Sequence, residues 1–379
     1  MFSNAKEVMQ YIRENDIRML DFKMVDIGGS YRHVTIPAAR FSEETVQNGI
    51  GFDASNYGYA VVEKSDMVFI PDVSTAIVDP FCRIPTLSMT GNTMIIDYPK
   101  NRPLPQYPRN IALAAEEYMK STGIADTMMI LPEFEFYLFD EAGWRVDSNH
   151  QEAHVDFGQA YWNSDTEGTA NIVPYQKNYH TAKPSDTTYE CRSRMVLYME
   201  EAGIPVKYHH PEVGAGGQFE IEPQLGQMSV MADRSMLIKY IIKNTAQEFG
   251  MSATFMPKPI FGEAGSGMHV HMLLMKDGKP VFSDDKGYAH LSRTAHYFMG
   301  GLLSHIDSLC AITNPSTNSF KRLVPGYEAP VTVGYATSNR SAVIRIPAYA
   351  KSPKLRRFEL RNPDATCNPY FCYAAILMA

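Results

Sequence analysis

Residues 130–139 read Ile-Leu-Pro-Glu-Phe-Glu-Phe-Tyr-Leu-Phe, and this stretch decides the fold that we predict. Bulky apolar residues alternate here with two carboxylates, Glu133 and Glu135. Successive side chains of a β-strand point to opposite faces, so both glutamates share one face and Phe134 and Phe136 share the other. Carboxylates on a strand this apolar need partners, because burying an unpaired charge is costly. Basic side chains and a metal ion are the two candidates.

The same pattern recurs at 217–222 (Gly-Gln-Phe-Glu-Ile-Glu), 268–272 (Met-His-Val-His-Met) and 357–361 (Arg-Phe-Glu-Leu-Arg). Any one of these segments is most simply an antiparallel strand with one face in solvent. Four of them together favour a curved antiparallel sheet whose polar face lines an active-site cleft. Glutamates with histidines and without cysteine suit Mg²⁺ or Mn²⁺. More than three carboxylates suit two ions, an arrangement that clamps a transferring phosphoryl group.

Basic residues are concentrated within residues 321–361, at Lys321, Arg322, Arg340, Arg345, Lys354, Arg356, Arg357 and Arg361. A basic run usually forms a solvated face, but several of these residues alternate with apolar ones, as pocket residues do. Guanidinium groups bind phosphate and carboxylate through paired hydrogen bonds, so metals with arginines indicate a nucleotide and an acidic substrate. The glycines at 262–267 have the spacing of a P-loop, but Met268 and His269 replace the Lys and Ser/Thr that it requires. A dinucleotide-binding fingerprint is also disfavoured.

Composition sets the broad class of protein. The chain has 379 residues, of which 45% are hydrophobic and 20% charged, and this predicts two or three globular domains. A net charge of −7 argues against nucleic acid or an anionic membrane as the main partner. Five cysteines without a Cys-x-x-Cys pair indicate a reduced, intracellular protein. We see neither a signal peptide nor a membrane-spanning run, so we expect a cytoplasmic protein.

Hydrophobic periodicity and turn residues predict the local structure. We predict helices over 4–15, 109–122, 186–202, 234–249 and 288–309, the last interrupted at Gly300 and Gly301. Besides the four polar-faced segments, we predict strands at 19–25, 31–36, 67–70 and 93–97, and long loops over 140–183. The proline-rich segment 99–108 is predicted to link two domains, residues 1–103 and 104–379.

These segments and their neighbours resemble bacterial-type glutamine synthetases across nearly all of the chain. The matching motifs are Gly-Phe-Asp at 51–53, Asp-Pro-Phe-Cys-Arg-Ile-Pro-Thr-Leu-Ser-Met at 79–89, Pro-Glu-Phe-Glu-Phe at 132–136, His-His-Pro-Glu at 209–212, Gly-Ser-Gly-Met-His-Val-His at 265–271, Asn-Pro-Ser-Thr-Asn-Ser-Phe-Lys-Arg-Leu-Val-Pro-Gly-Tyr-Glu-Ala-Pro at 314–330, Asn-Arg-Ser-Ala at 339–342 and Arg-Arg-Phe-Glu-Leu-Arg at 356–361. The run at 314–330 is the most specific of them.

The resemblance implies an α+β fold, with a small N-terminal β-grasp-like domain and a larger catalytic domain whose curved antiparallel sheet is flanked by helices. It implies ATP-dependent ligation of ammonia to L-glutamate through γ-glutamyl phosphate. It also implies a homo-oligomer with active sites shared between neighbouring subunits, built from hexameric rings that form dodecamers in full-length family members.

The resemblance further implies the roles of individual residues. One divalent cation, Mg²⁺ or Mn²⁺, would be held by Glu135, Glu212 and Glu220, and a second by Glu133, His269 and Glu359. ATP would contact His271, Arg340, Arg345, Lys354 and Arg357. Glutamate and ammonium would contact Asp53, Ser55, Tyr179, Gly265, Arg322, Glu328 and Arg361. Asp53, from a neighbouring subunit, would take the proton of ammonium; Glu328 would close the site, and Arg340 is the third predicted catalytic residue.

The chain departs from the family pattern at several positions. Ala264 replaces the usual Asn, which removes an amide expected to help hold glutamate; Ala54 replaces a Gly; and the residues around Tyr179 are unusual for the family. The sequence stops at Ala379, inside an apolar helical segment, so we expect a truncated chain with weakened contacts between rings. A stable dodecamer in sedimentation would contradict that expectation.

Two other functions compete with this interpretation. One is a related ligase that joins glutamate to a larger amine such as a polyamine, although retention of Asp53 and Glu328 argues against it. The other is a non-catalytic relative that keeps only the fold, a hypothesis that predicts lost metal ligands, whereas all six candidates are present.

Overall fold

The structure is a computed structural model that describes residues 2–165 and 171–379. Contacts divide the chain into unit 1, which comprises Met1–Tyr118 and Asn368–Ala374, and unit 2, which comprises Met119–Cys367 and Ala375–Ala379. The predicted domain boundary between residues 103 and 104 stays a prediction.

The helices, numbered in chain order, are α1 (Ala5–Glu14), α2 (Glu43–Asn48), α3 (Pro108–Thr122), α4 (Tyr189–Glu201), α5 (Met228–Glu248), α6 (Arg293–Ser304), α7 (Ile306–Thr313), α8 (Thr317–Arg322) and α9 (Pro369–Met378). Helix α1 shows how local sequence sets a boundary, because the side chain of Asn4 accepts a hydrogen bond from the Glu7 backbone N–H and so caps the first turn.

Unit 1 contains two four-stranded sheets. Its strands are β1 (Met19–Val25), β2 (Tyr31–Pro37), β3 (Ile50–Asp53), β4 (Asp66–Pro71), β5 (Ile77–Val78), β6 (Thr86–Met89), β7 (Gly91–Ile95) and β8 (Arg102–Pro103). One sheet has the order β2-β1-β6-β5, with β1 and β6 parallel, and the other has the order β3-β4-β7-β8. A core that includes Leu20, Phe22, Phe69 and Leu87 is buried in this unit.

Unit 2 contains a large, mainly antiparallel sheet and a separate hairpin. Its strands are β9 (Thr127–Phe139), β10 (Glu141–Val146), β11 (Gln151–Asp156), β12 (Val206–Pro211), β13 (Gln218–Pro223), β14 (Gly226–Gln227), β15 (Ser252–Thr254), β16 (Met268–Lys276), β17 (Lys279–Pro280), β18 (Thr332–Thr337), β19 (Ala342–Ile346) and β20 (Phe358–Leu360). The main path of the sheet is β12-β13-β9-β16-β20-β19-β18, and β14, β15 and β17 pair beside it. All four polar-faced segments therefore belong to one sheet, as predicted.

The apolar face of β9 accounts for much of the core of unit 2. Phe134 and Phe136 are fully buried, and both rings contact Phe255. Helix α5 covers this region and places the Lys243 ammonium 5.9 Å from the centre of the Phe255 ring. The opposite face, which carries Glu133 and Glu135, is thereby left for the functional site.

Three local predictions were wrong. Residues 141–156, predicted as loop, form the β10–β11 hairpin. Helix α5 begins at Met228 rather than near residue 234. The helix predicted over 288–309 is two helices, and they meet at His305 instead of breaking at Gly300 and Gly301.

Among residues 2–165 and 171–379, no helix is both long and apolar enough to cross a lipid bilayer.

Candidate active site

Strand register brings the polar faces of the four segments together. Strand β9 lies between β13 and β16 and is antiparallel to both, with Glu220 opposite Glu135 and His269 opposite Glu133. Strand β20 then pairs with β16 and places Glu359 opposite His271. Since side chains on one face of paired strands are neighbours, the carboxylates and histidines form a continuous polar patch across four strands.

Glu133, His271 and Glu359 form the first group of potential metal ligands, and all three are buried. The Nε2 atom of His271 lies 2.7 Å from Glu133 Oε1 and 3.1 Å from Glu359 Oε2. Burial alone would raise the pKa of Glu133, but His271 and His269 together hold it well below its usual range. Burial also opposes ionisation of Glu359, yet His271 and Arg345 outweigh burial and lower the pKa of Glu359 to about 2. Both carboxylates are therefore ionised at neutral pH.

His269 lies beside this group and bridges it to an arginine. Its Nδ1 atom is 2.8 Å from Glu133 Oε2, and its Nε2 atom is 3.2 Å from Arg322 Nη2. A guanidinium group only donates, so Nε2 accepts and Nδ1 carries the proton that is donated to Glu133. Burial, followed by the charge of Arg361, lowers the pKa of His269, so the ring is neutral, which is the form in which an imidazole binds a metal ion through its unprotonated nitrogen.

His210, Glu212 and Glu220 form a second group. The Nδ1 atom of His210 is 3.8 Å from Glu212 Oε2, and its Nε2 atom is 3.6 Å from Glu220 Oε1. Burial raises the pKa of Glu212 well above its usual range, and Glu135 and Glu220 raise it further. Glu220 is shifted in the same direction by burial and then by Glu133 and Glu135. Repulsion among these carboxylates would be relieved by positive charge, which a divalent cation would supply.

The donor set matches a hard or borderline divalent cation, because carboxylate oxygens and imidazole nitrogens dominate it. The predicted ligand Glu135 lies between the two groups, where its Oε2 accepts a 2.7 Å hydrogen bond from the Gly267 backbone N–H. The structure thus groups His271 with Glu133 and Glu359, and His210 with Glu212 and Glu220. The predicted sets have His269 in place of His271 and Glu135 in place of His210. Both predicted residues lie directly beside the observed groups.

Arginines surround the Glu359 carboxylate. Arg345 binds it through two hydrogen bonds, Nε to Oε1 at 2.8 Å and Nη2 to Oε2 at 2.6 Å. Arg361 Nη1 also donates to Oε1, at 2.5 Å. Paired guanidinium–carboxylate bonds of this kind fix both partners in a single orientation. Glu359, which is fully buried, is thereby held in one orientation on the polar face of the sheet.

A cavity of about 320 Å³ opens above this polar patch of carboxylates and histidines. The predicted site residues that line it are Glu133, Glu135, Tyr179, Glu212, Glu220, Gly265, His269, Arg322, Glu328, Arg340, Arg345 and Arg361. His271 and Glu359 are fully buried in the layer of side chains that includes Glu133. Arg357 is buried and donates to His271 Nδ1 at 3.4 Å, and Lys354 is exposed in the short helix Pro353–Leu355.

Gly265 and Gly267 allow the backbone of one cavity wall to approach Arg322. A Cβ atom on Gly267 would lie 2.3 Å from Arg322 Nη2, and one on Gly265 would lie 2.6 Å from Arg322 Cγ. A Cβ atom on Gly265 would also lie 2.7 Å from the Pro257 carbonyl oxygen, which is backbone, so position 265 needs glycine. The same loop is held by buried side chains, since the Tyr137 hydroxyl donates to the Ala264 carbonyl at 2.6 Å and the Gln218 amide donates to the Gly265 carbonyl at 2.9 Å.

Glu328 lies on the cavity rim in an unusual backbone conformation. Its φ angle is +55°, which is strained for a residue with a side chain and is often found at functional sites. Its carboxylate is 3.6 Å from Arg340, and both side chains are half exposed. Arg361 Nη2 donates to the Glu328 carbonyl at 3.3 Å, so the residue that binds Glu359 also contacts the rim.

Tyr179 lines the cavity and is exposed. Its ring stacks on His180, with 4.0 Å between the ring centres, and its edge meets the His210 ring. Partial burial of its ring raises the pKa of Tyr179, and Glu212 raises it further, so the hydroxyl is neutral and able to donate.

Asp53 and Ser55 lie in unit 1, at the end of β3. Asp53 is exposed, and its Oδ1 accepts hydrogen bonds from the Ser55 hydroxyl at 2.7 Å and from the Ser55 backbone N–H at 2.9 Å. These bonds lower the pKa of Asp53, so its carboxylate is ionised at neutral pH.

Several residues of the site were missed in our sequence predictions. His210, Tyr208, Gln218 and Tyr349 all line the cavity. Tyr208 and His210 alternate along β12 and continue to the predicted ligand Glu212, so the period of two was a usable signal. Tyr349 lies outside any strand, and no pattern in its neighbourhood indicated a role.

Comparison with known proteins identifies the relatives of this chain. Residues 105–379 match the family model described as glutamine synthetase, catalytic domain, and residues 16–95 match the one described as glutamine synthetase, beta-Grasp domain. The chain is 44% identical over 384 aligned positions to a glutamine synthetase of Frankia alni, covering all of this chain and 81% of the relative. It is equally similar, with the same coverage, to a 3-hydroxylaminophenol mutase of Cupriavidus pinatubonensis.

Among solved structures, a glutamine synthetase of Plasmodium falciparum superposes with a TM-score of 0.89 at 30% identity, covering all of this chain and 74% of that one. These matches confirm the predicted α+β fold, with an N-terminal β-grasp domain and a larger catalytic domain of sheet and helices.

Proposed function

The chain belongs to the glutamine synthetase family, and we propose that its cavity is where ammonia is joined to L-glutamate. The activity is that of a glutamate–ammonia ligase, which uses ATP and divalent cations and yields L-glutamine, ADP and phosphate. One observation carries the proposal: two groups of metal-ligating side chains on paired strands lie at one cavity, and arginines line the same cavity.

We assign two divalent cations, Mg²⁺ or Mn²⁺, to these groups. Glu135, Glu212 and Glu220 hold one, and Glu133, His269 and Glu359 hold the other; His210 and His271 lie against the same carboxylates. The raised pKa values of Glu212 and Glu220 support the first site, because these carboxylates gain most from a cation. When bound, the ions neutralise charge on the transferring phosphoryl group.

The arginines bind and orient the two larger substrates. Arg340, Arg345 and Arg357 are assigned to the phosphates of ATP, with His271 and Lys354 nearby. Arg322 and Arg361 are assigned to glutamate, together with the backbone at Gly265. Arg322 and Arg361 are almost fully buried and line the cavity, so they present positive charge where water screens it least.

The reaction then proceeds in two steps. The side-chain carboxylate of glutamate attacks the γ-phosphorus of ATP, which forms γ-glutamyl phosphate and releases ADP. Asp53 takes a proton from ammonium, and the resulting ammonia attacks the acyl carbon and expels phosphate. Glu328, on the rim, excludes water from the acyl phosphate while Ser55 and Tyr179 shape the ammonium site. The ionised state of Asp53 supports its role as the base.

We further propose a homo-oligomer in which Asp53 of one subunit completes the site of its neighbour, and a cytoplasmic location. Family membership supports the first proposal. The second is supported by the five free cysteines, which are typical of a reducing compartment.

A phosphate-release assay on the purified chain tests the function. Release should require ATP, glutamate, ammonium and Mg²⁺ or Mn²⁺ together, and omission of any one should abolish it. Phosphate release that does not depend on glutamate or on ammonium would contradict the proposal. Replacing ammonium with putrescine in the same assay tests the larger-amine alternative, which requires putrescine to support faster release than ammonium.

A further inference from the structure

We propose that Lys258 is a positioning residue that fastens the cavity rim at Glu328 to the loop of residues 258–265. The side chain of Lys258 reaches from this loop to the ring of Tyr327, the residue that precedes Glu328. This role rests on the proposed function, because it consists in keeping water away from γ-glutamyl phosphate.

The ammonium group of Lys258 contacts both segments. Its Nζ atom lies 3.5 Å from the centre of the Tyr327 ring and donates a hydrogen bond to the Glu263 carbonyl oxygen. Lys258 is only 8% exposed, so little water competes for these contacts. An ammonium group over the face of an aromatic ring is attracted by the electrons of the ring, and the attraction grows as water is excluded. The contact therefore holds the ring of Tyr327 against the loop.

The backbone of Lys258 gives this contact a fixed base. Its N–H donates to Asn318 Oδ1 at 2.7 Å, and its carbonyl oxygen accepts from Asn318 Nδ2 at 3.1 Å. Asn318 belongs to helix α8, which ends at Arg322, a residue assigned to glutamate. The side chain of Lys258 therefore extends toward the rim from a backbone that is paired with this helix.

The rim needs such a contact because its backbone is strained. Gly326 has a φ angle of +94° and Glu328 has one of +55°, so Tyr327 lies between two residues with positive φ. Glycine adopts such angles freely, but Glu328 does so at a cost that neighbouring contacts must offset. Lys258 supplies one of these contacts through Tyr327.

Other contacts at the rim involve residues that are assigned to substrates. Arg361 Nη2 donates to the Glu328 carbonyl at 3.3 Å, and Arg340 Nη1 lies 3.6 Å from the Glu328 carboxylate. In the proposed function Arg361 binds glutamate and Arg340 binds ATP. Lys258 is assigned to neither substrate, so its contact with Tyr327 persists while both arginines bind their ligands.

This contact bears on the fate of the acyl phosphate. Tyr327 and Glu328 line the same cavity as Gly265. When the rim leaves the loop, water reaches γ-glutamyl phosphate, adds its oxygen to the acyl carbon and displaces phosphate, which returns glutamate and wastes the ATP. Lys258 thus favours attack by ammonia over attack by water.

Phosphate released in excess of glutamine measures this loss to water. Both products are followed at limiting ammonium with saturating ATP, glutamate and Mn²⁺. We expect Lys258→Met and Tyr327→Leu to raise the excess about fivefold over the wild type, the factor that loss of a single cation–π contact predicts. Tyr327→Phe keeps the ring and should match the wild type. Lys243→Met is the matched control and should also match it, because Lys243 lies on helix α5 with its ammonium 5.9 Å from the centre of the Phe255 ring.

Two kinetic results overturn this role. One is an unchanged ratio of phosphate to glutamine in both Lys258→Met and Tyr327→Leu, even if kcat falls, because a general structural defect slows both products alike. The other is an excess in Tyr327→Phe as large as that in Tyr327→Leu, since the ring would then not be the group that matters.

Amide hydrogen exchange tests the fastening without any measurement of activity. The peptide that contains residues 326–328 should exchange about fivefold faster in Lys258→Met and in Tyr327→Leu than in the wild type or in Tyr327→Phe. Unchanged exchange in both variants contradicts the fastening. A wild-type chain without glutamate-dependent phosphate release contradicts the proposed function instead, and exchange alone then decides whether Lys258 fastens the rim.

Discussion

The side-chain amide of Gln218 donates a hydrogen bond of 2.9 Å to the carbonyl oxygen of Gly265. The other end of the same amide accepts a 2.9 Å bond from the Gly214 backbone N–H. Glu212, a proposed metal ligand, donates its own N–H to the Gln218 carbonyl at 2.9 Å. One buried residue therefore couples the loop that carries a metal ligand to the loop assigned to glutamate.

We expect Gln218→Met to raise the KM for glutamate by about fivefold, because the Gly265 carbonyl loses a bond that contributes roughly 1 kcal/mol and fixes its direction. The KM for ATP should change less. Steady-state kinetics with each substrate varied measures both. Ser266→Ala is the control, since it removes only the 3.3 Å contact of the same amide; equal defects in the two variants would contradict a positioning role for the Gly265 bond.

Stability of the metal-free protein should fall as pH rises above about 5. Burial and neighbouring carboxylates raise the pKa values of Glu212 and Glu220. Their contribution to stability is therefore complete below the unfolded-state pKa of about 4.3 and is lost as pH rises through the folded-state pKa. Glu133 and Glu359 have lowered pKa values and act oppositely, but their contribution is lost only in more acidic solution.

Cations should reverse this trend, because they bind the deprotonated carboxylates. Thermal unfolding with EDTA and with Mn²⁺ across this pH range measures the effect, and the gain in Tm from Mn²⁺ should grow with pH. In Glu212→Gln the metal-free Tm should depend less on pH. A gain from Mn²⁺ that is the same at pH 5 and pH 8 would argue against titration of this cluster.

Glu133 and Glu135 should have separable roles although they are two residues apart on one face of β9. Glu133 contacts both His269 and His271, whereas Glu135 accepts from the Gly267 backbone, next to the loop assigned to glutamate. We expect Glu133→Ala mainly to impair nucleotide binding and Glu135→Ala mainly to impair glutamate binding and ammonia chemistry. Binding isotherms for ATP and for glutamate, together with kcat, distinguish the two variants. Identical binding and kcat defects in both variants would contradict this division.

Much of this sheet was predictable because its signal is local. Alternation of apolar and polar residues within 130–139, or within 268–272, requires no knowledge of distant residues, and both segments are strands of one sheet. The pairing of strands is not local. Glu222 lies beside Glu133 because of the register between β13 and β9. Neither segment determines that register alone.

The wrong local predictions have physical causes as well. The β10–β11 hairpin is exposed on both faces, with Trp144 largely in solvent, so it lacks the alternation that marks a half-buried strand. Gly301 does not break its helix because it serves close packing: a Cβ atom there would lie 2.2 Å from the Ala379 carbonyl oxygen. We predicted that Gly301 interrupts the helix, whereas in the structure its missing side chain leaves room for a close neighbour.

Asp53→Asn should separate the two halves of the reaction. The substitution keeps the shape of the side chain and its turn with Ser55 but removes the charge that takes a proton from ammonium. We expect kcat/KM for ammonium to fall by about 10²- to 10⁴-fold, the usual contribution of a general base. Formation of the acyl phosphate from ATP and glutamate should be nearly unchanged.

Asp66→Asn is the matched control, because Asp66 is exposed and lies directly opposite Asp53 in the β3–β4 register. Its ammonium kinetics should match those of the wild type. Single-turnover ADP release measures the first step and glutamine formation measures the second. Loss of ADP release in Asp53→Asn to the same degree as glutamine formation would show that Asp53 acts before ammonia enters, contrary to its assignment as the base.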